Sequence, residues 1–194
     1  MTRLSQLFPL LLLASLLGLT FWLDQAMQQG TKVSETVPHD PDFIIEKIVA
    51  RRMDVNGDVK HTLYADRMTH YPDDDTTDLM SPRFISSASK VVPVTITSRT
   101  AKVSSGGEQI DFETDVRVVR AAYADRSELV LETSLLRVTP DENTARTDRP
   151  VTITDAHTVA HAIGLELNSE TRIAKFLSDF KGTYHDQGRA DKRR

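Results

Sequence analysis

Apolar residues fall along this chain in two patterns. From Leu7 to Leu23 they dominate a run without charge, "LFPLLLLASLLGLTFWL". From Phe43 onward they come in short alternating stretches broken by turn residues. In "EQIDFETDVRV", Ile110, Phe112, Val116 and Val118 share one face, while Gln109, Asp111, Glu113, Asp115 and Arg117 share the other. Period two with one apolar side predicts a half-buried strand. "VTI" at Val151–Ile153 and "IGLEL" at Ile163–Leu167 behave alike. Asn56-Gly57, Pro72-Asp73, Gly106-Gly107, Pro140-Asp141 and Asn168-Ser169 supply the turns. No segment after the first run carries a helical stripe, so the expectation is an all-β domain.

The turns recur. "YPDDDTTDLMSP" (Tyr71–Pro82) and "TPDENTARTDRP" (Thr139–Pro150) share one skeleton, with Pro72 and Pro82 matching Pro140 and Pro150. Leu63, Ala65 and Met68 precede the first as Leu131, Thr133 and Leu136 precede the second. Ile96, Ser98 and Ala101 lead to Gly106 as a looser copy, and Asn168 marks a fainter one. Turn signals roughly every 30 to 35 residues predict stacked strand-turn-strand units. One unit cannot hide its apolar side alone. Stacking makes a curved, layered β-structure with a continuous apolar inner surface, whose first and last strands have open edges.

At about 1.5 Å per residue, the Leu7–Leu23 run reaches roughly 26 Å as a helix, close to a bilayer core of about 30 Å. It has no polar face, which argues against a buried soluble helix. No small-x-small site follows it, since Asp24-Gln25-Ala26 places an acid there, which argues against a cleaved signal peptide. Trp22 suits an interfacial belt. The expectation is a retained transmembrane anchor over residues 1–24, with the later domain across the membrane. Residues 25–42, polar with two prolines, read as a tether. The β-domain is expected over 43–185 and a polar tail over 186–194.

Composition narrows function mostly by exclusion. A net charge of −4 gives no footprint for nucleic acid. The absence of cysteine removes disulfides, thiolate metal sites and thiol catalysis. His157 and His161 would share a helix face, but in a strand they stand roughly 13 Å apart. Asp73, Asp74, Asp75 and Asp78 lack the glycine and glutamate of a calcium loop, with Phe84 where the glutamate belongs. No phosphate loop or Gly-x-Ser-x-Gly elbow occurs. Neither an enzyme nor a cofactor or metal site is expected.

Two functions suit an anchored β-fold with an apolar inner face. One is a lipid conduit. The other is a structural adaptor of an envelope complex, in which the lining is only a core. Exposing one CH₂ to water costs about 0.8 kcal/mol, so a long acyl chain costs on the order of 10 kcal/mol. A β-groove shelters such a chain, and open edges let grooves join end to end. In "RIAKFLSDF", Ala174, Phe176 and Phe180 alternate with Ile173, Lys175 and Leu177, and no proline follows Pro150 to blunt the edge.

One ordered set of segments follows the short N-terminal run: "DPDF" (Asp40–Phe43), "NGDVKHTLYADRMTHYPDDD" (Asn56–Asp75), Pro82, "TARTDRPVTI" (Thr144–Ile153) and "AIGLELNSETRIAKFLSDFKGTY" (Ala162–Tyr184). The set resembles the LptC family of lipopolysaccharide export, over nearly the whole chain. The resemblance implies an open, twisted antiparallel β-jelly-roll on a single inner-membrane helix. It implies receipt of lipopolysaccharide from an ABC transporter and transfer to the soluble periplasmic bridge protein LptA by strand pairing. Phe43–Val55, with Phe43 and Ile45, would face the transporter. Arg172–Tyr184, with Ala174, Phe176, Leu177 and Tyr184, would face the bridge protein. Ile48, Leu79, Ile110, Phe112, Val116, Ile153, Leu165 and Phe176 would line the groove. A single glycine, Gly164, marks the "HAIG" run, where relatives often carry more.

Overall fold

The computed structural model describes residues 4–29, 39–87, 92–171 and 173–185. They belong to a helical unit and a β unit, divided after Pro38. Helix α1, Leu4–Gln29, carries the apolar run and continues past Asp24, where the anchor was expected to end. Among the described residues no helix is long and apolar enough to cross a membrane. Side chains of residues 7–10, part of the expected span, lie outside the described ones. Residues 30–38 of the expected tether, Arg172 and the tail 186–194 lie outside the described residues.

Among the described residues the β unit is one antiparallel sheet of eleven strands. They are β1 (Phe43–Met53), β2 (Val59–Tyr71), β3 (Thr76–Met80), β4 (Arg83–Ser86), β5 (Val94–Thr97), β6 (Thr100–Val103), β7 (Ile110–Arg120), β8 (Leu129–Thr139), β9 (Thr144–Thr154), β10 (Thr158–Asn168) and β11 (Ile173–Tyr184). β3 and β4 pair with β2 in one continuous register, and β5 and β6 lie end to end along β7. Each of these two pairs is one long strand interrupted in the middle. The sheet is then a meander from β1 to β11. The repeated turn signals become turns along one end of it. Asp75 and Asn143, equivalent in the two sequence copies, both take positive φ there.

A seam crosses the sheet. Lys47, Ser81, Thr114, Asp115, Gly164 and Asp179 all have positive φ within or between strands. Several are lateral neighbours. The Ser81 amide donates to the Arg99 carbonyl at 2.8 Å, and the Arg99 amide donates to the Thr114 carbonyl at 3.0 Å. Register shifts continue the line across β7–β8, β8–β9 and β9–β10. Such irregularities bend strands. Here they fold the sheet into two facing halves, a jelly-roll-like arrangement. The alternation reverses phase at the fold. Leu79 and Phe84, Leu131 and Leu136, and Ala162 and Leu165 are all buried, each pair an odd number of positions apart.

The core lies between the halves. One cluster joins Phe84 and Ile96 of one half to Leu79, Phe112 and Leu136 of the other. The Phe84 and Phe112 rings meet edge to face at 6.2 Å, a favoured aromatic geometry. A second cluster of Leu131, Val151, Ala162 and Leu165 has Ile153 and Phe176 packed against it.

Candidate functional site

Between the half-sheets lies a cavity of about 90 Å³. Its apolar walls come from both halves. Phe84, Ile96 and Leu131 stand on one side, and Leu136, Val138, Leu165 and Leu167 on the other. The seam sets these faces against each other, so the fold of the sheet itself makes the groove. Polar groups enter from His61 and Ser86 of one half and from Asn143, Thr144 and Ser169 near the opposite turns.

His61 is 5% exposed and stacks on Phe84 with ring centroids 5.2 Å apart. Among the described residues, neither of its ring nitrogens has a hydrogen-bond partner, and neither does the buried Asn143 Oδ1. Burial lowers the His61 pKa, and the positive charges of Lys60 and Arg52 add to this. The Pro140 carbonyl opposes the shift, but it does not reach hydrogen-bond geometry. The imidazole is therefore neutral at neutral pH. Nearby, Arg52 of β1 donates to Asp141 of the β8–β9 turn at 2.7 Å, tying the two halves together.

The groove residues expected from the sequence divide by place. Leu165 lines the cavity. Leu79, Ile110, Phe112 and Val116 are buried in the first cluster, and Ile48 packs on its border. Ile153 and Phe176 border the second. The sequence reading missed His61, Phe84, Ile96, Leu136 and Asn143. Phe84 and Ile96 sit in short strands beside the seam, where alternation is too brief to read. His61 and Asn143 carry no apolar signal at all.

The expected docking residues lie on the two end strands. Among the described residues β1 pairs only with β2, and β11 only with β10. Each therefore has one row of backbone groups without a sheet partner. Phe43, Ile45, Ala174, Leu177 and Tyr184 are exposed, and Phe176 is half-buried. Ile44 and Val49 of β1 and Ile173 and Phe180 of β11 add exposed apolar surface.

Among the described residues, His157 and His161 do not join in a metal-ligand group. His157 sits in the turn before β10, and His161 within β10 meets Thr152. His39, Asp73 and Asp74 bring ligand atoms within 4.8 Å of one another, all exposed. His39 is held there by its 2.9 Å contact with Asp73 and by stacking on Tyr71. That arrangement fastens the start of the β unit to the β2–β3 turn.

Among curated proteins, none matches. Among solved structures the chain is similar to LptH of Pseudomonas aeruginosa, described as the LptA homologous periplasmic component of the conserved lipopolysaccharide transport device. The identity is 8% and the TM-score 0.42, over 77% of this chain and 100% of that one. A family model described as "Lipopolysaccharide-assembly, LptC-related" matches residues 10–185. With that match running from the N-terminal helix to the end of the last strand, the chain belongs to the LptC-related lipopolysaccharide-assembly family.

Proposed function

We propose that this protein carries lipopolysaccharide between the inner membrane and a soluble bridge protein, sheltering acyl chains between its two half-sheets. Family membership supports a part in lipopolysaccharide transport, and the apolar cavity at the fold of the sheet is the observation that carries the conduit reading. The N-terminal run acts as a single-pass inner-membrane anchor, and the β unit lies in the periplasm. Lipid arrives from an ABC transporter, which hydrolyses the ATP. β1 serves the transporter side, and β11 hands over to LptA by strand pairing.

Photocrosslinking in cells tests this. A photoreactive residue at Leu167, which lines the cavity, gives a lipopolysaccharide adduct. The same residue at Glu166, the exposed neighbour in β10, does not. Absence of lipid adducts at Leu167, or equal adducts at both positions, overturns the conduit and leaves a structural adaptor.

A further inference from the structure

The cavity is apolar except where polar side chains enter it, and two of those, His61 and Asn143, hold buried atoms without hydrogen-bond partners among the described residues. Buried polar atoms are normally paired, and leaving them unpaired costs stability. Two such groups on one cavity point to a ligand. Their chemistry narrows which. A neutral imidazole offers one N–H donor and one lone pair, and Asn143 Oδ1 offers further lone pairs. A carboxylate or phosphate oxygen only accepts, so it leaves Asn143 Oδ1 unpaired, and its charge would have to shed its water in an apolar cavity. An ammonium only donates, and it would have to shed its water in an apolar cavity. A hydroxyl both donates and accepts, and matches the set.

We propose that His61 and Asn143 form a polar clasp for a hydroxyl carried on an acyl chain, so that the groove selects hydroxylated over plain chains. This rests on the conduit reading and names the class of chain it takes. The cavity, at about 90 Å³, is several times the roughly 10–15 Å³ that one water-sized group needs. It therefore holds a hydroxyl together with some of its chain. Ser169 contributes position: its amide and its hydroxyl both donate to the Asn143 carbonyl, at 2.8 and 3.1 Å. That anchors the Asn143 backbone in its positive-φ turn and holds the side chain at the cavity.

The test uses the full chain in detergent and two probes, 3-hydroxytetradecanoate and tetradecanoate, each displacing a fluorescent fatty acid. The hydroxylated acid should bind on the order of tenfold more tightly, the size of one good hydrogen bond. In His61→Phe and in Asn143→Gly, the ratio of the two affinities should fall toward one; glycine suits the positive φ of Asn143. In the unsubstituted chain, the His61 ring nitrogens should shift in NMR spectra with the hydroxylated acid and not with the plain one. Equal affinities in the unsubstituted chain overturn the clasp and leave the conduit standing. A preference that survives both substitutions, or His61 signals that answer both acids alike, also overturns the clasp. Failure of both acids to bind overturns the conduit reading itself.

Discussion

A side-chain carbon added to Gly164 would lie 2.7 Å from Cδ1 of Leu177 and 3.0 Å from its Cβ and Cγ. Gly164 also has φ +78. Both facts come from the seam, where β10 turns its corner against β11. Only glycine meets both demands at low cost.

Gly164→Ala should therefore destabilise the β unit by about 1–3 kcal/mol, combining backbone strain with overpacking. Leu177→Ala in the same chain should recover part of the loss. It removes Cγ and Cδ1 while the strained φ remains. Urea denaturation of both single variants and the double variant gives the coupling. Strictly additive losses would show that Leu177 does not crowd this corner.

The seam also explains what could be read from the sequence. Strands such as Ile110–Arg120 announced themselves by alternation, and the matched prolines located turns and corners. Pro72 and Pro140 begin turns, and Pro82 and Pro150 lie at the fold. The fold itself was not legible. Alternation assumes an even spacing between inward residues, yet Leu131 and Leu136 break it by bending with the sheet. Phe112, which the resemblance places on the groove, lies fully buried in the core between the halves. Nothing in the sequence marks out His61; its burial and its stacking on Phe84 give it a place.

Phe112 has no exposed surface, so a charge there tests the fold before it tests lipid. Phe112→Arg buries an unpaired guanidinium and should prevent folding. Phe112→Ala should cost about 3–5 kcal/mol through the cavity it leaves. Glu113→Arg, on the exposed face of β7, should change stability by less than about 0.5 kcal/mol. Circular dichroism with urea titration separates the three. A stably folded Phe112→Arg would mean that the two halves can part without loss of the sheet.

His61 and His70 couple stability to pH in opposite senses. Burial, then Lys60, lowers His61 from its ordinary 6.5. The unfolded chain then takes up this proton more readily than the folded one, so the contribution is present above about 6.5 and is lost as pH falls through the lowered value. For His70, hydrogen bonds to Asp42 and then to Asp75 raise the pKa above 6.5. Its contribution is present below 6.5 and is lost as pH rises through the raised value. Urea midpoints measured from about pH 5 to about pH 8, the range in which histidines titrate, should show less acid-side loss in His61→Phe. In His70→Asn the decline toward the alkaline side should shrink instead. Parallel profiles for all three proteins would remove both couplings.

The last strand offers the clearest test of docking. β11 pairs with β10 along one side only, among the described residues. Its apolar side chains Ile173, Leu177, Phe180 and Tyr184 are exposed. Proteins commonly guard such an edge with proline, a bulge or an inward charge. Here the positive-φ Asp179 and the register shift opposite Ile163 interrupt it at the seam, leaving two regular stretches on either side. A partner strand would gain main-chain hydrogen bonds along each stretch. Proline removes an amide donor and is tolerated where that amide points away from the sheet. Adjacent residues in a strand present their amides to opposite sides, so Ala174→Pro and Lys175→Pro form an internal control pair. The variant whose amide serves β10 should lose stability. The other should keep its circular dichroism spectrum and lose capture of the soluble bridge protein by roughly tenfold or more. Undiminished capture by that folded variant would move the docking surface to the β1 edge, where proline at Ile44 or Ile45 repeats the test.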